Sequence, residues 1–221
     1  MNNASFAVIF DMDGVLIDSN PPHKIALKEF CSRHGHALDE QQLRDKIYGR
    51  TNRDWISNLF PGIDEKILLQ YAEEKEAMYR DLYHDIKPLQ GLIAFLDLLD
   101  QHHIPRAIGT SAPHANVDFT LSRTHTEKYF SIVLDDTFVK RGKPDPEIYI
   151  KCAAALQYAP EQCIVFEDSI SGVQAGKAAG CKVVGVTTTH TAAELGDIDL
   201  AIADFEGLTI EKLSLLMEGM H

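Results

Sequence analysis

The chain has 221 residues, of which 45% are hydrophobic and 24% are charged, a balance that excludes disordered and fibrous proteins. A chain of this length can form one domain with an insertion, and its core needs no disulfides. The 33 acidic against 21 basic residues give a net charge of −12, and without a basic stretch we expect no nucleic-acid partner.

The N-terminal segment MNNASFAVIF carries no basic side chain, and its apolar run ends at Asp11. It is too short for a signal peptide, and no run in the chain approaches the ~18 apolar residues of a membrane span. The 4 cysteines form no C-x-x-C pair, so we interpret them as reduced thiols. These features predict a cytoplasmic protein with no membrane partner.

Short apolar runs alternate with helical patterns along most of the chain, which predicts a parallel sheet. The apolar runs predict strands over residues 6–10, 106–109, 131–134, 163–166, 182–186 and 200–203. Helices are predicted between the strands over residues 91–102, 114–123, 146–156 and 171–179. Because crossovers between parallel strands are right-handed, we expect an α/β fold with a doubly wound, Rossmann-like sheet.

The connection between the first two predicted strands departs from this alternation. Most of the chain from 18 to 105 reads as helix, with apolar residues at helical spacing such as Ile67, Leu68 and Tyr71. We therefore predict an inserted all-helical cap domain over residues 17–85. Residues 1–16 and 86–221 are predicted to form the core domain.

Polar residues follow several of the predicted strands. They are Asp11 and Asp13 after the first strand, Thr110 and Ser111 after the second, Glu167 and Asp168 after the fourth, and Lys143 ahead of the helix that precedes the fourth. Open parallel sheets bind ligands at the carboxyl ends of their strands. We therefore expect these side chains to meet at one edge of the sheet.

The chemistry of this set is coherent. Clustered carboxylates repel one another unless a cation neutralises them, and oxygen ligands without His or Cys favour Mg²⁺. A carboxylate can attack phosphorus to form an aspartyl phosphate, while Lys143 and Thr110 could hold the remaining phosphate oxygens. The residues thus predict Mg²⁺-dependent phosphoryl transfer.

Four segments resemble, in order and spacing, the motifs of the haloacid dehalogenase-like hydrolases. They are FDMDGVLIDS, GTSA, GKPDPEIY and VFEDSISG. The resemblance covers essentially the whole chain, includes the helical insertion after the first motif, and is closest to the β-phosphoglucomutase-like phosphatases. It implies a monomeric enzyme that acts on a small phosphorylated substrate.

The resemblance also implies a role for each acid. Asp11 would be the nucleophile, and Asp13 would be the general acid and base that protonates the leaving oxygen and then activates water. Mg²⁺ would be held by the carboxylate of Asp11 and the backbone carbonyl of Asp13. The acids of the fourth motif, Glu167 and Asp168, would complete the metal site.

The second and third motifs are implied to bind phosphate. Thr110 and the N–H of Ser111 resemble the phosphate clamp of the family, and Lys143 resembles its cation. Thr110 and Lys143 would therefore act during catalysis as well as in binding.

Three positions in the predicted cap resemble substrate-binding residues of the family. His23 matches a histidine of the hinge helix, Lys75 matches a substrate-facing lysine, and Arg53 lies in a segment, from Gly49 onwards, that resembles the specificity loop. The spacing of Arg53 differs by one residue from the mutase pattern. The simpler alternatives are a surface histidine at His23 and a solvated ion pair at Lys75.

Several functions are compatible with these residues. The leading hypothesis is hydrolysis of a small phosphate monoester such as a sugar phosphate. The alternatives with the same chemistry are a β-phosphoglucomutase and an inorganic pyrophosphatase. A receiver-like phosphoacceptor or a non-catalytic binding module is the alternative of another class. The insertion and the second acid at Asp13 disfavour the receiver, and the intact motifs disfavour the non-catalytic module.

Overall fold

The computed structural model of the protein describes residues 4–46 and 51–219. The chain divides into two units. The first, which we call the sheet unit, comprises Met1–Asp18 and Ile86–His221, and the second, the helical unit, is Ser19–Asp85.

A sheet of six strands forms the centre of the described part of the sheet unit. The strands are β1 (Ala7–Phe10), β2 (Arg106–Gly109), β3 (Val133–Leu134), β4 (Cys163–Glu167), β5 (Lys182–Val186) and β6 (Leu200–Ile202). Their spatial order is β3-β2-β1-β4-β5-β6, and every neighbouring pair is parallel. The strand order changes direction at β1, which confirms the predicted doubly wound α/β fold.

Helices occupy most of the remaining described chain. Those of the helical unit are α1 (Asn20–Arg33), α2 (Glu40–Lys46), α3 (Asn52–Leu59) and α4 (Glu65–Leu82). Those of the sheet unit are α5 (Leu92–Gln101), α6 (His114–Thr124), α7 (Glu147–Leu156), α8 (Ile170–Ala179), α9 (Ala192–Leu195) and α10 (Ile210–Met217). In the part of the chain that the structure describes, no helix is both long and apolar enough to cross a membrane.

Strand β1 is buried along its whole length because helices cover both faces of the sheet. Val8 and Phe10 belong to one hydrophobic cluster, while Ala7 and Ile9 belong to a second cluster with Tyr149 of α7. Successive side chains of a strand point to opposite faces, so the continuous apolar run of β1 supplies both layers of the core. This arrangement leaves the strand ends as the place where polar residues gather.

Backbone contacts join the turn after β1 to the segment that follows the helical unit. The N–H of Gly14, whose φ is +73°, donates to the carbonyl of Ile17 at 2.8 Å, a backbone shape that glycine adopts readily. Ile17 forms an antiparallel bridge with Pro88, and the N–H of Leu89 donates to the carbonyl of Leu16 at 2.9 Å. These bonds explain why the helical unit begins at Ser19, two residues after the start of the cap predicted at 17–85.

Aromatic packing and capped helices define the helical unit. The ring of Phe30 on α1 lies 5.5 Å from the ring of Trp55 on α3 and 5.5 Å from the ring of Tyr71 on α4. Thr51 and Asp64 cap the N-termini of α3 and α4, where each side chain accepts a backbone N–H of the first turn. The unit therefore has its own apolar centre and defined helix ends.

Phe95 on α5 packs against three rings of the sheet core: its ring lies 6.3 Å from Phe10, 5.7 Å from Phe166 and 5.4 Å from Phe205. We expect Phe95→Ala to lower the free energy of unfolding by about 3–5 kcal/mol, because it leaves a cavity among these rings. The control is Phe138→Ala, at a side chain that is 49% exposed, where we expect a loss of about 0.5 kcal/mol or less. Urea unfolding followed by circular dichroism measures both, and equal losses would contradict the assignment of Phe95 to the core.

Candidate active site

Two acids lie in the turn that follows β1. Asp11 is the first residue beyond the strand, its side chain is buried, and its N–H donates to the carbonyl of Phe166 on β4 at 3.0 Å. Asp13 is half-buried and pairs through its backbone with Ile17. Because the strand order changes direction at β1, this turn lies at the crevice where open α/β sheets bind ligands.

Lys143 connects two of the acids. Its Nζ donates to Asp11 Oδ1 at 2.6 Å and to Glu167 Oε1 at 2.7 Å, and its ammonium lies 5.0 Å from the centre of the Tyr149 ring. The side chain is only 7% exposed, so the ammonium depends on these partners in place of water. The structure thus joins residues of the first, third and fourth sequence motifs in one buried ion cluster.

Glu167 accepts five hydrogen bonds. Its Oε1 accepts from Lys143 Nζ and from the hydroxyl of Tyr149 at 2.8 Å, and its Oε2 accepts from the N–H of Asp168, the N–H of Ser169 and the hydroxyl of Ser169, each at 2.9 Å. A carboxylate offers about four lone-pair sites. Glu167 can therefore ligate an ion directly only if it exchanges one of these bonds for the ion.

Two glycines make room for the carboxylates of Glu167 and Asp168, because a side chain at either glycine would overlap them. A Cβ at Gly172, on α8, would lie 1.6 Å from Glu167 Oε1, and a Cβ at Gly14 would lie 1.9 Å from Asp168 Oδ2. Any side chain at either position would displace an acid of the site. Farther along α8, a Cβ at Gly176 would lie 2.9 Å from a side-chain carbon of β5, so the glycines of this helix let it approach the sheet closely.

Burial and neighbouring charges shift the pKa of each group in the cluster. Burial raises the pKa of Asp11 to about 7, and the ammonium of Lys143 offsets part of this effect. Burial and the charges of Glu167 and Asp11 raise the pKa of Asp168 well above its ordinary value. For Glu167 the effect of burial is outweighed by Lys143 and by hydrogen bonds, so its pKa is lowered.

The same competition acts on Lys143. Burial alone would lower the pKa of its ammonium, but the paired carboxylates of Asp11 and Glu167 outweigh burial and raise it. One ammonium nevertheless faces three acids. Without a further cation the repulsion among these acids favours protonation, as the raised pKa values of Asp11 and Asp168 indicate, and a divalent cation would favour their charged forms instead.

The donor set fits a hard divalent cation. Asp11, Glu167 and Asp168 each offer a carboxylate oxygen, and these oxygens lie within 4.8 Å of one another. All three ligands are oxygen atoms of buried carboxylates, which is the donor type that Mg²⁺ and Ca²⁺ prefer. This fit supports the sequence-based expectation of a magnesium site.

Thr110 and Ser111 follow β2, the strand beside β1. Thr110 is buried, its N–H donates to the carbonyl of Leu134 at 3.0 Å, and its Oγ accepts the N–H of Ala112 at 3.1 Å. Within residues 4–46 and 51–219 its hydroxyl proton has no acceptor, so it can be donated to a ligand. Ser111 is exposed at the same strand end.

In the helical unit, the structure brings His23 and Lys75 together. Lys75 Nζ lies 3.0 Å from His23 Nδ1 and donates to Glu76 Oε1 at 2.7 Å. Glu76 also accepts from Asn52 Nδ2 at 2.7 Å, and the His23 ring stacks on the ring of Tyr79 with centroids 3.7 Å apart. Lys75 is only 6% exposed, so the alternative of a solvated lysine is wrong.

Arg53 occupies a different setting from Lys75. Its guanidinium is exposed and forms a two-pronged ion pair with Glu65, in which Nη1 donates to Oε2 at 2.8 Å and Nη2 donates to Oε1. Gly49 and Arg50, which belong to the segment that resembles a specificity loop, lie outside the described residues. In this structure the one described cation of that segment is therefore engaged by a carboxylate.

Sequence reasoning missed several residues that surround the acids. Tyr149 binds Glu167 from inside the third motif, and nothing in the local pattern distinguishes it from a core aromatic residue. Thr188, Thr189 and His190 contact Asp168 from the segment that follows β5. These three could have been found, because the rule that polar residues gather after parallel strands applies to the fifth strand as it does to the others.

Comparisons with known proteins agree with this geometry. The sequence model of the family described as haloacid dehalogenase-like hydrolase matches residues 8–186. The chain is 36% identical over 186 residues to the phosphorylated carbohydrates phosphatase of Thermotoga maritima, which covers 81% of this chain and 84% of that relative. It is 30% identical over 218 residues to the beta-phosphoglucomutase of Bacillus subtilis, which covers 94% of this chain and 93% of that relative.

The structure is similar to that of a HAD hydrolase of family IA, variant 3, from Entamoeba histolytica. The two chains are 35% identical, their TM-score is 0.90, and the match covers 96% of this chain and 99% of that chain. The family match includes the ends of β1, β2 and β4, which carry the acids and the threonine of the site. The chain therefore belongs to the haloacid dehalogenase-like hydrolases and is an enzyme of their phosphatase and phosphomutase group.

Proposed function

We propose that this enzyme hydrolyses a small phosphate monoester, such as a sugar phosphate, through a phosphorylated Asp11 and with Mg²⁺ as its cofactor. The observation that carries the proposal is the buried cluster in which Lys143 bridges Asp11 and Glu167 beside Asp168. A carboxylate nucleophile, a cation and a set of oxygen ligands in one crevice are the parts that phosphoryl transfer requires.

Two displacement steps account for the reaction. In the first, a carboxylate oxygen of Asp11 forms a bond to phosphorus while the ester P–O bond breaks, and Asp13 gives its proton to the leaving oxygen, which departs as an alcohol. In the second, the carboxylate of Asp13 takes a proton from a water molecule, and the water oxygen forms a bond to phosphorus while the P–O bond to Asp11 breaks. Inorganic phosphate leaves, and both acids return to their starting states.

Three groups are proposed to hold the oxygens of the transferring phosphoryl group. The ammonium of Lys143 already lies 2.6 Å from Asp11 Oδ1, so it is within reach of a phosphoryl group bonded to that residue. Thr110 has a hydroxyl proton to donate, and Ser111 would contribute its backbone N–H. Donors that are in place before the reaction stabilise the charge that develops on these oxygens.

The proposed magnesium ligands are the carboxylates of Asp11 and Asp168 and the backbone carbonyl of Asp13. Glu167 would join them by exchanging one of its five hydrogen bonds, or would act through a ligand water. When bound, Mg²⁺ supplies positive charge that stabilises the phosphoryl oxygens. Three carboxylate oxygens within 4.8 Å of one another, of Asp11, Glu167 and Asp168, support such an ion.

The name of one relative supports a sugar phosphate as the substrate. The Thermotoga maritima protein that is 36% identical to this chain is named a phosphatase of phosphorylated carbohydrates. Within the group, the Bacillus subtilis relative is named a mutase, so family membership alone does not choose between water and a sugar hydroxyl as the acceptor of the phosphoryl group.

The charges of the helical unit favour hydrolysis. A mutase must bind a bisphosphorylated sugar, and a cation with unbalanced charge suits the phosphate that is not being transferred. The carboxylate of Glu76 balances Lys75, and Arg53 would have to leave Glu65 to meet a second phosphate. We propose that His23 and Lys75 bind the uncharged, hydroxyl-bearing part of a monophosphate.

Two alternatives keep the same chemistry, namely a β-phosphoglucomutase and an inorganic pyrophosphatase. They differ from the proposal in the phosphoryl acceptor or in the leaving group, so an assay of products separates them. A receiver-like phosphoacceptor or a non-catalytic binding module is set aside, because the chain belongs to a group of enzymes.

Asp11→Asn tests the nucleophile. We expect phosphate release from sugar monophosphates to fall to background, because a carboxamide is a poor nucleophile, and Mg²⁺ binding to weaken in calorimetry, because a charged ligand is lost. The control is Asp197→Asn, at a side chain that is 82% exposed and paired with Lys177, which should keep wild-type turnover. Turnover above a few per cent of the wild-type rate in Asp11→Asn would remove Asp11 from this role.

Asp13→Asn separates proton transfer from metal binding. We expect the rate at saturating Mg²⁺ to fall by ~10²–10⁴-fold, because the general acid and base is lost. The affinity for Mg²⁺ should stay near that of the wild type, because the backbone carbonyl remains. A Mg²⁺ titration followed by calorimetry, together with the rate at saturation, checks both parts. Weakened Mg²⁺ binding with a normal rate at saturating Mg²⁺ would contradict the assignment of Asp13 as the general acid and base.

The products of one assay distinguish hydrolase, mutase and pyrophosphatase. Wild-type enzyme is given β-glucose 1-phosphate with a catalytic amount of β-glucose 1,6-bisphosphate, and free phosphate and glucose 6-phosphate are followed together; a parallel reaction contains pyrophosphate. We expect free phosphate from the sugar phosphate to dominate. Many turnovers to glucose 6-phosphate with little free phosphate would establish the mutase, and Lys75→Ala should then lose isomerisation most. Faster release from pyrophosphate would establish the pyrophosphatase.

A further inference from the structure

The segment after β5 reaches the acids of the site. We call Thr188, Thr189 and His190 the threonine segment. The hydroxyl of Thr189 donates to Asp168 Oδ2, and the hydroxyl of Thr188 donates to the carbonyl of Gly14 at 2.5 Å and lies 3.5 Å from the same oxygen of Asp168. His190 Nδ1 lies 3.0 Å from the backbone carbonyl of Asp168.

These contacts restrict Asp168 in two ways. A hydroxyl that donates to Oδ2 fixes the rotation of the carboxylate about its Cβ–Cγ bond, and therefore fixes the direction of the lone pairs on Oδ1. The imidazole of His190 at the backbone carbonyl holds the main chain at the end of β4. Hydrogen bonds that orient a ligating carboxylate in this way are a recurrent part of metal sites.

The threonine segment also connects two strand ends. Gly14 belongs to the turn that carries Asp11 and Asp13, and it lies so close to Asp168 that a Cβ there would be 1.9 Å from Oδ2. By binding the carbonyl of Gly14, Thr188 fastens this turn to the end of β5. The turn after β1 is therefore bonded to the segment after β5 as well as to β4.

We propose that Thr188, Thr189 and His190 are positioning residues that orient the carboxylate of Asp168 and the turn at Gly14 for Mg²⁺. The segment contributes geometry and supplies no proton or nucleophile to the reaction. This inference rests on the magnesium role in the proposed function. It adds the end of β5 to the set of strand ends that build the site.

The test compares single methyl-for-hydroxyl exchanges at neighbouring threonines. Thr189→Val keeps the shape of the side chain and removes the donor to Asp168, so we expect the dissociation constant for Mg²⁺ to rise about tenfold or more. Thr189→Ser keeps the hydroxyl and should restore binding. The matched control is Thr187→Val, because the hydroxyl of Thr187 donates to the carbonyl of Ile202 at 3.3 Å and not to an acid; its Mg²⁺ binding should not change.

Calorimetric titration with Mg²⁺ measures the affinity of each purified protein, and circular dichroism checks that each is folded. The rate of phosphate release against Mg²⁺ concentration gives a second readout, in which Thr189→Val should need more Mg²⁺ and recover most of its rate at saturation. Thr188→Val should weaken Mg²⁺ binding in the same direction, and it keeps the test decisive if Thr189→Val does not fold.

The outcomes separate this inference from the proposed function. Wild-type affinity in folded Thr189→Val and Thr188→Val, with Mg²⁺ binding intact in the wild type, would overturn the positioning role and leave the proposed function standing. An equal loss in Thr187→Val would also overturn it, because the effect would then not depend on Asp168. A wild-type protein that binds no Mg²⁺ would overturn the metal role and this inference together.

Discussion

The ammonium of Lys143 between two buried carboxylates is the interaction on which the site depends. Asp11 and Glu167 lie at the ends of adjacent strands, where burial and mutual repulsion raise the pKa of Asp11 and the ammonium of Lys143 offsets part of that rise. Removal of one partner from a buried ion pair typically costs about 3–5 kcal/mol. Lys143 comes from a segment 132 residues away from Asp11, so the loop before α7 must be held in place for this ion pair to form.

The parallel sheet explains why all of this charge lies at one edge. Helices cover both faces, so polar side chains within the strands would have no water, and the strand ends are the available place for them. The acids then crowd so tightly that two neighbouring positions must be glycine. Gly14 makes room for Asp168, and Gly172 makes room for Glu167. In this crevice the arrangement of the backbone matters as much as the choice of side chains.

The helical unit is inserted between two residues of the sheet unit that pair with each other. Ile17 and Pro88 pair with each other at the two ends of the insertion, so the chain leaves and re-enters the sheet unit at one place. Inside the unit, Lys75 and Glu76 form a buried ion pair. His23 contacts the lysine of this pair, and Asn52 donates to the glutamate. Such a pair is neutral overall, and this separates its chemistry from that of the charged cluster around Lys143.

The sequence by itself determined the sheet and the candidate acids, because each depends on a local pattern. Apolar runs gave β2 and β5 their observed bounds, and the acids after β1 and β4 followed from the rule for strand ends. Only the tertiary structure decided the partners of those residues. Thr189 and Asp168 are separated by 21 residues, and Lys75 and His23 by 52. No periodicity spans such distances. A lysine among glutamates therefore looks solvated in the sequence, whereas the packing of α4 against α1 buries Lys75 beside His23.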